Sequence, residues 1–87
     1  MIMKSGFELI DVAGEHIAVP TGENAESFKG VVALSEAAFF LLKKMRVSQT
    51  RESLLCLLTE EYDVEPSVAQ ADLNVLIRTL FDLGLIE

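Results

Sequence analysis

Histidine and cysteine are the side chains best able to do chemistry near neutral pH, and this sequence holds one of each, His16 and Cys56. A general base needs a partner within hydrogen-bond reach, and a metal ligand needs companions at a defined spacing. No cysteine, serine or second ligand stands at such a spacing from His16, which therefore reads as a strand residue, solvated or packed. Cys56 lies within Leu54-Leu55-Cys56-Leu57-Leu58, with no cationic neighbour predicted to lower its pKa. It is expected to be a buried small hydrophobe rather than a reactive thiol. The run Glu60-Glu61-Tyr62-Asp63 lacks the alternating oxygen ligands of a calcium loop and reads as a solvated face. The glycines form neither a phosphate loop nor a dinucleotide fingerprint. Lys43, Lys44, Arg46 and Arg51 form a basic cluster. It complements the negative end of a helix, with steering of an acidic partner as the second reading. The sequence therefore predicts no catalytic residue, no metal and no cofactor. It points to a domain that binds something rather than transforming it.

Composition narrows what could be bound. The chain has 87 residues, of which 51% are hydrophobic, enough apolar material for one small domain spanning 1–87. Seven Lys and Arg against fourteen Asp and Glu leave a formal charge of -7. Nonspecific nucleic-acid binding needs cations to displace phosphate counterions, so that class is disfavoured. One cysteine excludes an internal disulfide framework. No apolar run approaches the roughly 18 residues of a membrane span. Met1 to Gly6 is too short and mixed for a signal peptide, so the expected location is the cytoplasm.

The elements that would position a binding site fall into two halves, about 7–34 and 35–86. Phe7 to Val12 alternates as a strand, with Phe7 and Leu9 on one face and Ile10 and Val12 on the other. Ala13-Gly14-Glu15 is a turn. His16 to Val19 is a second strand, ended by Pro20. After the polar loop from Thr21 to Ser27, Phe28 to Leu34 reads as a third strand, β-branched at its centre. Short connections imply an antiparallel meander. Ser35 is the expected N-cap of a helix from Ala37 to Met45, and Thr50 caps a second with Leu54, Leu55, Leu58 and Tyr62 as its buried stripe. Pro66 opens a third helix running to about Leu83, where Ala69, Leu73, Leu76, Leu80 and Leu83 recur at helical spacing. Gly84 is the C-cap, and Leu85-Ile86 folds back as a hydrophobic tail. The fold class is α+β: a three-stranded antiparallel sheet followed by three helices, with the tight connections of a helix-turn-helix unit.

Helix-turn-helix topology permits DNA binding, but charge opposes it. The third helix offers Arg78 alone as a cation, against Asp72 and Asp82. A protein or peptide partner is the better inference. In a meander the third strand is an edge, and edges are usually blunted by charge or proline. Gly30-Val31-Val32-Ala33-Leu34 contains neither. A peptide can add there as a further strand through main-chain hydrogen bonds. An open edge also allows homodimers by edge pairing or strand exchange. The competing reading is that a helix or the preceding loop simply covers the edge.

The stretch Gly30-Val31-Val32-Ala33-Leu34-Ser35-Glu36-Ala37-Ala38 resembles the strand-to-helix junction of the PqqD family. Glu60-Glu61-Tyr62-Asp63-Val64 resembles the end of that family's second helix. Asp72-Leu73, Leu76, Leu80 and Gly84-Leu85-Ile86 resemble its last helix and ending. The order and spacing hold from about Phe7 to Ile86. Members, also called RiPP recognition elements, are small winged-helix-like domains of natural product biosynthesis. They bind the leader of a ribosomally made precursor peptide and present it to a maturation enzyme, either a radical S-adenosylmethionine enzyme or a leader peptidase. The resemblance implies a leader lying as an extra strand between the third strand and third helix. On that basis the strand side is Val31, Val32, Ala33 and Leu34, and the helix side is drawn from Asp72, Leu73, Leu76 and Ile77, some of which must be core. Ser35 stands where many members have Asn, an equivalent cap. Many members have Trp near Leu42, and this chain has none, which leaves another peptide pathway as open a reading as the best-known ones. The alternative function is a winged-helix protein-interaction domain in a regulatory or scaffolding complex.

The charge argument carries a direct test. No specific duplex DNA binding is expected at physiological salt. Fluorescence anisotropy giving submicromolar affinity, with a salt slope of several ions, would overturn it.

Overall fold

A computed structural model describes residues 1–22 and 30–87. Strands β1 (Phe7–Val12), β2 (Glu15–Pro20) and β3 (Val32–Leu34) form one antiparallel sheet in the order β1-β2-β3. Helices α1 (Glu36–Lys44), α2 (Arg51–Glu61) and α3 (Pro66–Asp82) follow. This is the three-strand, three-helix α+β arrangement that the patterning implies.

The local chemistry explains the boundaries. Val12 pairs with Glu15, leaving Ala13 and Gly14 as a two-residue turn with φ of 52° and 82°. Positive φ at both positions gives the twist that suits a tight hairpin, and Gly14 adopts it without a Cβ clash. Ser35 caps α1 by accepting a hydrogen bond from Ala38 N at 3.2 Å. Thr50 and Ser53 form a reciprocal capping box at the start of α2. Pro66 occupies the first turn of α3, where its missing N–H is one that the helix leaves unpaired anyway. At the far end, Leu85 N donates to Leu80 O and Gly84 N to Phe81 O, both at 3.0 Å. That paired closure is a Schellman motif, and it turns the chain so that Leu85 and Ile86 enter the core.

Two sequence expectations change in the sheet and third helix. The third strand is shorter than expected: pairing begins at Val32, and Val31 lies outside it, 56% exposed. Phe28 and Lys29, which the alternation placed in this strand, lie outside the described residues. In α3 the buried stripe is Ala69, Leu73, Ile77 and Leu80, while Leu76 and Leu83 are only half-buried. At about 100° per residue the four buried positions share one arc of the helix, and Leu76 and Leu83 lie together at one side of it, where the helix surface is less covered.

The inner sheet face carries Phe7, Leu9, Ala18, Val32 and Leu34 towards the helices. Leu9 and Val32 flank Ala18 in the register, and Ala18 is fully buried. The core holds no buried polar or charged residue among those described. The N-terminal segment also contributes, as Met3 bridges Ile86 and its N–H donates to Met45 O at 2.9 Å. No described helix is long and apolar enough to cross a membrane.

Gly84 offers a clean stability test. Its φ is +76°, and a Cβ built there would meet nothing within 4 Å. Gly84→Ala should therefore cost only the backbone term, about 1–2 kcal/mol, read as a lower urea midpoint with an unchanged m-value.

Candidate functional site

Among the described residues β3 has a partner strand on one side only, and most of the preceding loop, the cover considered for its other side, lies outside them at 23–29. Within the sheet β3 pairs only with β2, through Leu34–His16, Ala33–Ile17 and Val32–Ala18. Strand residues alternate their N–H and C=O groups between the two sides, so those not bonded to β2 face outward. Val32 and Leu34 turn their side chains inward against the core, and Ala33 is exposed on the outer face. Gly30 and Val31 precede the strand, both exposed.

The chain passes from Leu34 through the Ser35 cap into α1, and Ala37 in its first turn forms one wall of a small cleft. The cleft encloses about 190 Å³ and is completed by Leu58 and Tyr62 from α2, Val64 from the connection, and Asp72 and Leu76 from α3. Its walls are apolar apart from the Tyr62 phenol and the Asp72 carboxylate. Phe40 supports Tyr62 edge to face, with ring centroids 5.9 Å apart. Lys44 Nζ stands 5.4 Å from the Phe40 centroid.

The structure sorts the residues named from the third helix. Leu73 and Ile77 are each 2% exposed and belong to the core. Asp72 and Leu76 lie one turn apart and open into the cleft. On the strand side, Val32, Ala33 and Leu34 lie in β3, and Val31 stands just before it. Sequence reasoning missed Ala37, Leu58 and Val64 as lining residues and read Tyr62 as part of a buried stripe. Tyr62 is half-buried, as the C-cap of α2. A tyrosine at a helix end followed by an exposed valine was the available signal.

The residues with chemical potential are placed elsewhere. His16 stacks on Phe39 at 4.6 Å between ring centroids, and its Nδ1 lies 3.8 Å from Asp11 Oδ2. Packing thus accounts for His16. Cys56 is exposed rather than buried. It sits on α2 two residues from both Leu54 and Leu58, about 200° around the helix from each, so the buried stripe faces away from it. Among the described residues no group of three or more His, Cys, Asp or Glu could hold a metal ion.

The model of the family described as "Coenzyme PQQ synthesis protein D (PqqD)" matches residues 11–86. The chain belongs to the PqqD family. A search of curated proteins finds no match. Among solved structures, the fold is similar to that of TbiB1, in the structure described as "TbiB1 in Complex with the TbiA(beta) Leader Peptide". The TM-score is 0.77 at 15% identity, over 100% of this chain and 95% of that one. At that identity the likeness establishes a shared fold. The PqqD assignment takes in β2, β3 and all three helices, and hence every wall of the cleft.

The Tyr62 phenol gives a probe of the cleft. Burial pushes its pKa above the usual 10.0, and the nearby Glu36 and Glu61 carboxylates push it further up. The folded state therefore favours the neutral phenol. Its contribution to stability is constant at neutral pH and falls as pH rises from 10 through the folded-state value. Ultraviolet titration should give an ionisation midpoint above 10.0, and Tyr62→Phe should abolish that transition.

Proposed function

We propose that this PqqD-family chain binds the leader of a ribosomally made precursor peptide and presents it to a maturation enzyme. The observation that carries the reading is the open edge of β3 leading into the apolar cleft at Ala37, Tyr62 and Leu76. A leader segment adds to β3 through main-chain hydrogen bonds and places one apolar side chain in the cleft. The main chain of Val31 to Leu34 supplies the strand side, and Asp72 and Leu76 supply the helix side. The leader held by TbiB1, a protein of the same fold, supports this reading.

The proposed role is non-catalytic. His16 is engaged in packing with Phe39, and the cleft brings together one phenol and one carboxylate rather than a nucleophile and a base. The receiving enzyme is a radical S-adenosylmethionine enzyme or a leader peptidase, the two classes that family membership brings into view. The setting is cytoplasmic, where such precursors are made.

Calorimetry against the cognate leader tests the proposal, and the expected affinity is micromolar or tighter, about -8 kcal/mol at 1 μM. No heat at millimolar concentration would sink it. Proline scanning tests the edge itself. Val32 and Ala33 are adjacent in β3, so one of them directs its N–H to β2 and the other to the open side. Proline at the inward position should lose the fold by circular dichroism. Proline at the outward position should keep the fold and weaken leader binding by about 1 kcal/mol or more. A folded proline variant that binds the leader as tightly as the parent would place the peptide elsewhere.

A further inference from the structure

The two flanks of α3 face different surroundings. Successive residues turn by about 100° around a helix. Leu76 and Arg78 therefore point about 160° apart, as do Asp72 and Asn74. Asp72 and Leu76 open into the cleft beside α1. Asn74, Arg78 and Phe81 line a second and larger groove, of about 590 Å³, on the opposite flank and against the start of α2.

This second groove has a chemistry unlike the cleft on the other flank of α3. The chain carries seven Lys and Arg against fourteen acids, yet Arg51 and Arg78 both line this groove, with Asp82 its one carboxylate. Arg51 donates from one guanidinium nitrogen to Asn74 Oδ1, which ties the start of α2 to α3 and holds the guanidinium at the groove. Neither arginine makes an ion pair with a carboxylate among the described residues, and the two guanidinium groups outnumber Asp82 in the lining. Two large apolar side chains lie exposed beside these cations, Phe81 at 47% and Val75 at 65%. Aromatic residues flanked by unpaired arginines have the composition of interface centres rather than of ordinary acidic surface.

We infer that the groove formed by Arg51, Asn74, Arg78 and Phe81 docks an acidic segment with an aromatic or aliphatic anchor, belonging to the maturation enzyme. The identity of this occupant rests on the leader-binding reading above. A domain that presents a leader must hold a second partner without releasing the first. The groove meets that condition because α3 separates it from the β3 edge. Its unpaired cations select acidic groups, and Phe81 receives the apolar anchor.

The probe is a capped octapeptide, Glu-Asp-Phe-Glu-Leu-Asp-Phe-Glu, with a twin in which every acid is replaced by lysine. Titration into the full ¹⁵N-labelled chain should show saturable binding below about 1 mM. Amide shifts should centre on Asn74, Arg78 and Phe81, and affinity should fall as salt is raised. The lysine twin should bind at least ten-fold more weakly. Arg51→Gln with Arg78→Gln should weaken the acidic probe about ten-fold, and Arg51→Glu with Arg78→Glu should weaken it further. Both double variants should bind the leader as the parent does, and saturating leader should leave probe affinity unchanged within two-fold. Equal binding of the twin, shifts centred on Val32 or Asp72, indifference to both double variants, or displacement of the probe by leader would each overturn the inference. Leader binding is read separately by calorimetry, so its failure is distinguishable from failure of the groove.

Discussion

The fold depends on burying the broad apolar face of one helix. Helix α1 spans nine residues, and Leu41 and Leu42 within it, with Met45 at its C-cap, are fully buried. Strands β2 and β3 and helices α2 and α3 all contact it. The core holds no buried polar or charged residue among those described, and the buried Nδ1 of His16 on β2 makes no hydrogen bond. Close packing of aliphatic side chains therefore sets the positions of the outer elements. Truncating Leu41 or Leu42 would disturb several interfaces together, because each faces more than one layer of the structure.

That arrangement gives the binding edge its form. Leu34 and Ser35 join β3 directly to α1, so the strand cannot move without the helix that organises the core. Val32 and Leu34 anchor β3 from below, while its outer main chain has no partner strand among the described residues. A rigid edge presents its hydrogen-bonding groups already aligned, which lowers the ordering cost of adding a peptide strand. In the proposed mode of leader binding, the cleft at Ala37, Tyr62 and Leu76 adds side-chain selectivity to main-chain recognition.

Helix α3 separates this edge from the groove at Arg51 and Arg78. Its core stripe of Ala69, Leu73, Ile77 and Leu80 occupies one face, leaving two flanks of opposite character. One is apolar with a single carboxylate, and the other carries two guanidinium groups beside Phe81 that make no ion pair among the described residues. In a chain of net charge -7, such segregation gives two partners separate places on one small domain.

The sequence by itself determined the elements and their order. Capping and turn chemistry is local: Ser35, Thr50, Pro66 and Gly84 act on neighbours within a few residues, so their roles are readable from sequence position. The place of the third strand at the end of the sheet order and the core burial of Leu85-Ile86 were legible from chain order and the Gly84 turn, as was membership of the PqqD family from the order of its motifs. Tertiary structure alone decided which face each side chain took. Leu73 and Leu76 are three residues apart and equally apolar, yet one is core and the other opens into the cleft, because α1 and α2 pack off-centre on α3. Cys56 looked buried within a run of leucines, but a helix packed on one side must expose some apolar-flanked positions. The walls of the cleft and the pairing of Arg51 with Asn74 join residues far apart in the chain. No local rule encodes such meetings; they exist only once burial of the common core has set the helices side by side.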